Sequence, residues 1–307
     1  MRYSARFSGR DGELSVEREG MRLGSRFLDF ADVKTLRPIN HRVFISTLSD
    51  EEIEISMLGF SFDGFWEELT ECFEKRSQEA LFVEETPVMR CTDGEYQLPG
   101  EQGRGTVILL PDAISILPPD CHAVRIPLCF VKQLRLEGYL LHVSMLSGAE
   151  YTVGRMGYDT IPFAERAQQA MDRVKKQRAR ALEKVELCPP YTVRGLFRTE
   201  HPEQYWLAAF GKGCCAVELF TGENAATYLY RFSEPKEQFL LNLEEAMEAM
   251  GVHREIIFCE QEQIEANPLY RMGVARSPAV GFLRARSAGR LIHTASHAQN
   301  LSEFLNA

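Results

Sequence analysis

The basic side chains near the end of this 307-residue sequence are the first place to look for chemistry. Arg271, Arg276, Arg284, Arg286 and Arg290 fall within 20 residues of one another. Read as a strand, VGFLRAR sets Arg284 and Arg286 on one face, where two planar guanidiniums side by side suit a phosphate or a carboxylate. Glu255, Glu260, Glu262 and Glu265 are the competing partners that would neutralise them internally. A second basic group, Arg173, Lys175, Lys176, Arg178 and Arg180, lies in DRVKKQRARALEK. It reads as a solvated cationic helix end favoured by the helix dipole, or as a patch for an anion or an acidic partner. The acidic first part of the same chain is one candidate partner.

Other constellations are weaker. His293 and His297 are four apart, as two metal ligands on a helix face would be, but the pair spans a strand-to-helix junction. Thr294 also stands where an HExxH motif needs glutamate, so no metal site is expected. Gly211-Lys212-Gly213 lacks the upstream glycine and the following Ser or Thr of a phosphate loop, and reads as a hairpin. The eight cysteines form no C-x-x-C pair and read as free thiols of a reducing compartment, with Cys214 and Cys215 as small strand residues. No nucleophile elbow or glycine-rich dinucleotide loop is present. No catalytic residue and no cofactor are expected.

The elements that must position these residues are organised by an internal duplication. Residues 28–65 align with 126–163 without a gap at an offset of 98: Val33-Lys34 on Val131-Lys132, Leu36-Arg37 on Leu134-Arg135, Gly59 on Gly157 and Phe65 on Phe163. Upstream, Gly12, Leu14, Val16, Met21 and Leu23 match Gly105, Val107, Leu109, Ile114 and Ile116 at an offset of 93, which places five extra residues in the loop around 117–121. Seven short period-two runs crowd the first 57 residues and predict a small antiparallel barrel or sandwich. Phe62, Phe65, Trp66, Leu69 and Phe73 then switch to helical spacing. In the second copy the helix buries Phe163, Ala167, Ala170, Met171 and Val174, with Thr160 as its N-cap.

Seven antiparallel strands followed by one helix is an order that resembles the pleckstrin-homology-like superfold, over roughly residues 1 to 186 as two tandem copies. The resemblance implies a bent barrel with one open end plugged by the helix, and ligands drawn from phosphoinositides, phosphopeptides, proline-rich segments or protein partners. SGRDGEL, VEREGM and LLPDAIS, at the strand-to-strand loops where lipid binders carry basic residues, are sparse or neutral in charge; a phosphoinositide or membrane-surface partner is not expected.

After Cys188-Pro-Pro190 the pattern changes. YWLAAF, CCAVELF, TYLYRF, VGFLRAR and RLIHTAS read as strands, 237–250 and 298–305 as helices, and 260–268 as a polar connector. The expected fold is therefore α+β: two barrels at 1–87 and 88–187, and an α+β domain at 188–307. Net charge is −9, concentrated in residues 1–87, which disfavours a wholesale nucleic-acid binder. No apolar run is long enough for a membrane span or a signal peptide. The sequence thus points to a cytoplasmic, non-enzymatic binding or scaffolding protein that receives a protein or peptide partner. The alternative is an anion binder, for a nucleotide, nucleic acid or acidic lipid, that uses the arginine cluster.

Overall fold

A computed structural model describes residues 1–119, 122–221 and 224–307. The first sheet is built from β1 (Arg2–Phe7), β2 (Arg10–Val16), β3 (Gly20–Leu23), β4 (Arg26–Asp29), β5 (Val33–Ile39), β6 (Arg42–Thr47) and β7 (Glu52–Ser56), and α1 (Phe62–Ala80) follows it. Its antiparallel order is β4-β3-β2-β1-β7-β6-β5. Alternation puts Val43, Ile45, Ile53 and Ile55 inside, where α1 adds Phe65, Leu69 and Phe73. Phe65 meets Tyr3 edge-on at 5.2 Å and Phe73 meets Phe30 at 5.7 Å. Phe62 and Trp66 lie half-buried beside this core.

The second copy repeats the first: β8 (Met89–Leu98), β9 (Glu101–Leu109), β10 (Ala113–Leu117), β11 (Val124–Pro127), β12 (Val131–Glu137), β13 (Leu140–Met145), β14 (Glu150–Gly154) and α2 (Thr160–Glu183). Its order is β11-β10-β9-β8-β14-β13-β12. From β5 to the start of α1, every strand limit recurs at the 98-residue offset. So does the bulge after Val33, which returns after Val131. Gly59 and Gly157 both take a positive φ, of 56° and 60°, before the helix, and Asn40 (51°) is matched by Gly138 (60°). The duplication is therefore one of backbone, not only of hydropathy. The insertion falls between Leu117 and Val124, and two of its residues, Asp120 and Cys121, lie outside the described set. Thr160 is the first residue of α2 rather than its cap; its hydroxyl accepts from the Met156 N–H at 2.9 Å and donates to the Gly157 carbonyl at 3.1 Å.

The third sheet holds β15 (Val193–Leu196), β16 (Gln204–Phe210), β17 (Cys214–Thr221) and β18 (Asn224–Arg231). Five helices come next: α3 (Lys236–Met250), α4 (Glu255–Phe258), α5 (Gln261–Ala266), α6 (Pro268–Arg276) and α7 (Pro278–Arg286). The chain then adds the edge strand β19 (Ser287–Leu291) and closes with α8 (His297–Asn306).

Two expectations fail here. VGFLRAR is helical, because Ser277 caps the Val280 N–H, Pro278 occupies the first helical position, and Val280 and Leu283 are buried at helical spacing. The 260–268 connector is also largely helical. Glu260 and Gln263 form a reciprocal capping box for α5, and Asn267 caps α6 ahead of Pro268. Local capping outweighed the weak period-two pattern. The strand predicted over RLIHTAS ends at Leu291.

Charged side chains tie the three sheets together. Arg125 Nη2 on β11 donates to both oxygens of the Asp112 carboxylate, at 2.5 and 2.6 Å, and also reaches Glu85. Arg198 donates to Glu85 at 2.8 Å, and Arg178 on α2 donates to Glu248 on α3 at 2.8 Å. Met272 on α6 lies in the core of the first unit. Among the described residues, no helix is long and apolar enough to cross a membrane.

Candidate functional site

The arginine cluster disperses in the folded chain. On a helix, side chains two apart point to nearly opposite sides, so Arg284 and Arg286 form no shared fork. Arg284 donates to the carbonyls of Ile256 and Cys259 at 2.6 and 3.0 Å. Arg286 pairs with Glu234 at 2.9 Å and lies over Phe282. Arg271 bonds Asp32 of the first unit at 3.0 Å, while Arg276 bonds the Pro118 carbonyl of the second at 2.7 Å and covers Phe73. These four arginines are fastenings.

The basic helix group divides as well. Arg178 is nearly buried over Phe130, and its acidic partner Glu248 belongs to α3 instead of the acidic first unit. Arg173 donates to the Pro111 carbonyl. Lys176 and Arg180 are exposed and Lys175 is half-buried.

Arg290 alone of the five lines an open cleft of about 830 Å³ on one face of the third sheet. Leu219, Ala226 and Tyr228 form one wall and α4 with the start of α5 the other. Tyr228 stacks on Phe258 with ring centroids 4.4 Å apart. Arg254, ahead of α4, is 2% exposed and lines the same cleft. Its Nη2 donates to the Met247 carbonyl at 3.1 Å, its Nη1 meets the Met250 sulfur at 3.8 Å, and the guanidinium lies over Phe197. Its Nε has no hydrogen-bond partner, and no described carboxylate lies within ion-pair distance of it. Burial pulls this guanidinium down to about 10, against the opposing pull of Tyr230, Tyr228 and Glu255. Burial likewise raises the Tyr228 phenol, opposed chiefly by Arg290, its cross-strand partner. A buried cation without a fixed counter-ion at a cleft wall favours any oxyanion that enters.

The opposite face of the sheet carries a second convergence. Glu218 on β17 and Thr227 on β18 are cross-strand partners, and both are buried. Thr227 Oγ1 donates to Glu218 Oε2, to which the Tyr191 hydroxyl also donates at 2.9 Å. His293 Nε2 lies 3.1 Å from Glu218 Oε1, and His297 Nε2 lies 2.9 Å from Thr227 Oγ1. The strand-to-helix junction that argued against the histidine pair in sequence is what folds both rings over the carboxylate, 4.4 Å apart.

A third group, Glu85, Asp112 and Glu200, sits at the junction of the three sheets, where Arg125 and Arg198 already occupy it. Burial and then Asp112 push the Glu200 carboxyl up to about 8. Burial also raises Asp112, but Arg125 overrides it and leaves that carboxyl below its usual value. Glu200 is therefore the more basic carboxyl of the two.

Arg254 and Glu218 were not singled out in the sequence, although Glu218 is a lone charge in an apolar setting, CCAVELF. No protein-family model matches the chain, and no curated protein matches its sequence.

Proposed function

We propose that this protein is a binding protein for an anionic small molecule, held in the cleft between β18, β19 and α4. The observation that carries this reading is the buried Arg254 guanidinium, which among the described residues has an unpartnered Nε and no carboxylate in ion-pair range. Arg290 adds an accessible second cation, and Tyr228 with Phe258 offers an aromatic wall for the body of the ligand. The volume falls in the range of small-molecule sites, about 300–1,000 Å³. A phosphate monoester with a flat or apolar body fits this combination. The seven unpaired cysteines among the described residues support a reducing, cytoplasmic setting.

In this reading the two seven-stranded units are pleckstrin-homology-like barrels, supported by their strand order and closing helices. A second observation favours a protein partner on them. Both repeats expose an aromatic side chain at the turn before the closing helix, Phe60 and Tyr158, and Tyr158 continues into a shallow pocket with Tyr139 and Ile161.

The experiment is ligand-dependent thermal stability at low salt with inorganic phosphate and nucleoside monophosphates, followed by calorimetry. At a concentration a hundred times Kd the folded state gains about 2.7 kcal/mol. Arg290→Ala, at an exposed position, should weaken binding with the melting point of the free protein unchanged. Arg254→Gln should abolish binding. An absent shift, or one equal in both variants, counts against the cleft.

A further inference from the structure

We infer that Glu218, His293 and His297 form a binding site for a divalent transition metal of the zinc class. The inference is independent of the anion cleft, which lies on the other face of the same sheet. Three donors of the right kind already converge. One oxygen of Glu218 and one nitrogen from each imidazole lie within 4.8 Å of one another. In a tetrahedral zinc site with ligand bonds of about 2.0–2.1 Å, donor atoms sit roughly 3.3 Å apart. The His293 Nε2 to Glu218 Oε1 separation is already 3.1 Å. The remaining closure is a matter of His297, at the first position of α8 and half-exposed.

Charge supports the same conclusion. Glu218 is buried on a face that also holds Leu207, Ala209, Ala216, Leu229 and Leu301. Among the described residues no lysine or arginine pairs with it, and its only ionic neighbour is His293, which is charged only when protonated. A buried carboxylate needs a compensating cation. His293 faces the carboxylate and His297 lies beside it against Thr227, and together the two imidazoles can deliver a cation by ligating a metal.

The outer contacts are those of a ligating carboxylate. Tyr191, itself buried, holds Glu218 Oε2 through its hydroxyl, and Thr227 holds the same oxygen from the neighbouring strand. Oε1 is left facing the histidines, an orientation that second-shell hydrogen bonds impose in metal sites. Two nitrogens and one carboxylate oxygen select zinc-class ions over calcium or magnesium, which take oxygen ligands. His293 is on the solvent side, so the fourth position opens to water or to a ligand.

The test uses the full chain, stripped with EDTA and titrated with zinc by calorimetry, then with cobalt by absorption. One equivalent should bind. The cobalt form should show d–d bands without the near-ultraviolet charge-transfer band of thiolate ligation, which separates this site from the cysteines. The double variant His293→Ala with His297→Ala should lose affinity more than about 100-fold, and Tyr191→Phe about 10-fold. Melting curves in EDTA check that each variant is folded. If the double variant does not fold, His293→Ala alone, at an exposed position, should still lower affinity at least 10-fold. A thiolate band, zinc binding unchanged by loss of the histidines, or no binding at micromolar zinc would each overturn the assignment.

Discussion

The Arg178–Glu248 pair offers the sharpest test of how the units are joined. Glu248 has a side chain only 1% exposed, and Arg178 one 11% exposed. Glu248 Oε1 accepts from the Thr199 N–H at 2.7 Å and its hydroxyl at 3.0 Å, and Oε2 accepts from Arg178. Burial, the largest influence, raises the Glu248 carboxyl, and Arg178 is the first influence opposing it. Arg178→Met keeps the stem over Phe130 but strands a carboxylate that only Thr199 still satisfies. Removing one partner of a buried pair costs about 3–5 kcal/mol. Glu248→Gln keeps an acceptor for Thr199 and leaves Arg178 with Glu244 at 3.9 Å, for a smaller loss of about 1.5–3 kcal/mol. In the double variant neither charge is stranded, so its loss should fall short of the sum of the singles by about 2 kcal/mol. Urea unfolding followed by circular dichroism, with m-values compared across the four proteins, measures this directly. Losses that add within about 0.5 kcal/mol would mean the two side chains do not depend on each other, and the reasoning fails.

Two further outcomes are expected. Phe65→Ala and Phe163→Ala empty equivalent, fully buried sites beneath the closing helices and should each cost about 3–5 kcal/mol in urea unfolding; a much smaller loss in either would remove that helix from the core. Because the Glu200 carboxyl is raised from 4.5 to about 8, the folded protein binds more protons than the unfolded chain across that window. Stability from this group should therefore decline as pH rises from about 4.5 to about 8, and Glu200→Gln should flatten the decline in melting curves taken across pH. An unchanged slope in that variant would locate the titration elsewhere.

The repeated units were legible because a half-buried antiparallel strand writes itself as alternation, and because a second copy at a fixed offset repeats every inference. Arg42–Thr47 and Leu140–Met145 illustrate both. The third region was less legible where local capping decided the outcome. Ser277-Pro278 and Asn267-Pro268 are helix starts that the sequence displays, yet the alternation of Arg284 and Arg286 drew attention to a strand instead. The candidate sites were legible only in part. Arg290 was found with its neighbours, but Arg254 and Glu218 acquire meaning only when distant strands and helices meet around them. An arginine cluster in sequence says nothing about which members face carbonyls. Four of the five are consumed in tying α6 and α7 to the rest of the protein.

That tying has a consequence for how the chain is made. Met272, 1% exposed, fills the interior beneath α1, whose last residue is Ala80, and Arg276 covers Phe73 of the same helix. During synthesis at about 5–20 residues per second, the first seven-stranded unit emerges on the order of ten seconds or more before the side chains that finish it. Until then the nascent chain carries a partly open apolar seam at α1. The second unit emerges before α6 arrives to cover that seam, so a helix translated after both units acts as the latch on the first.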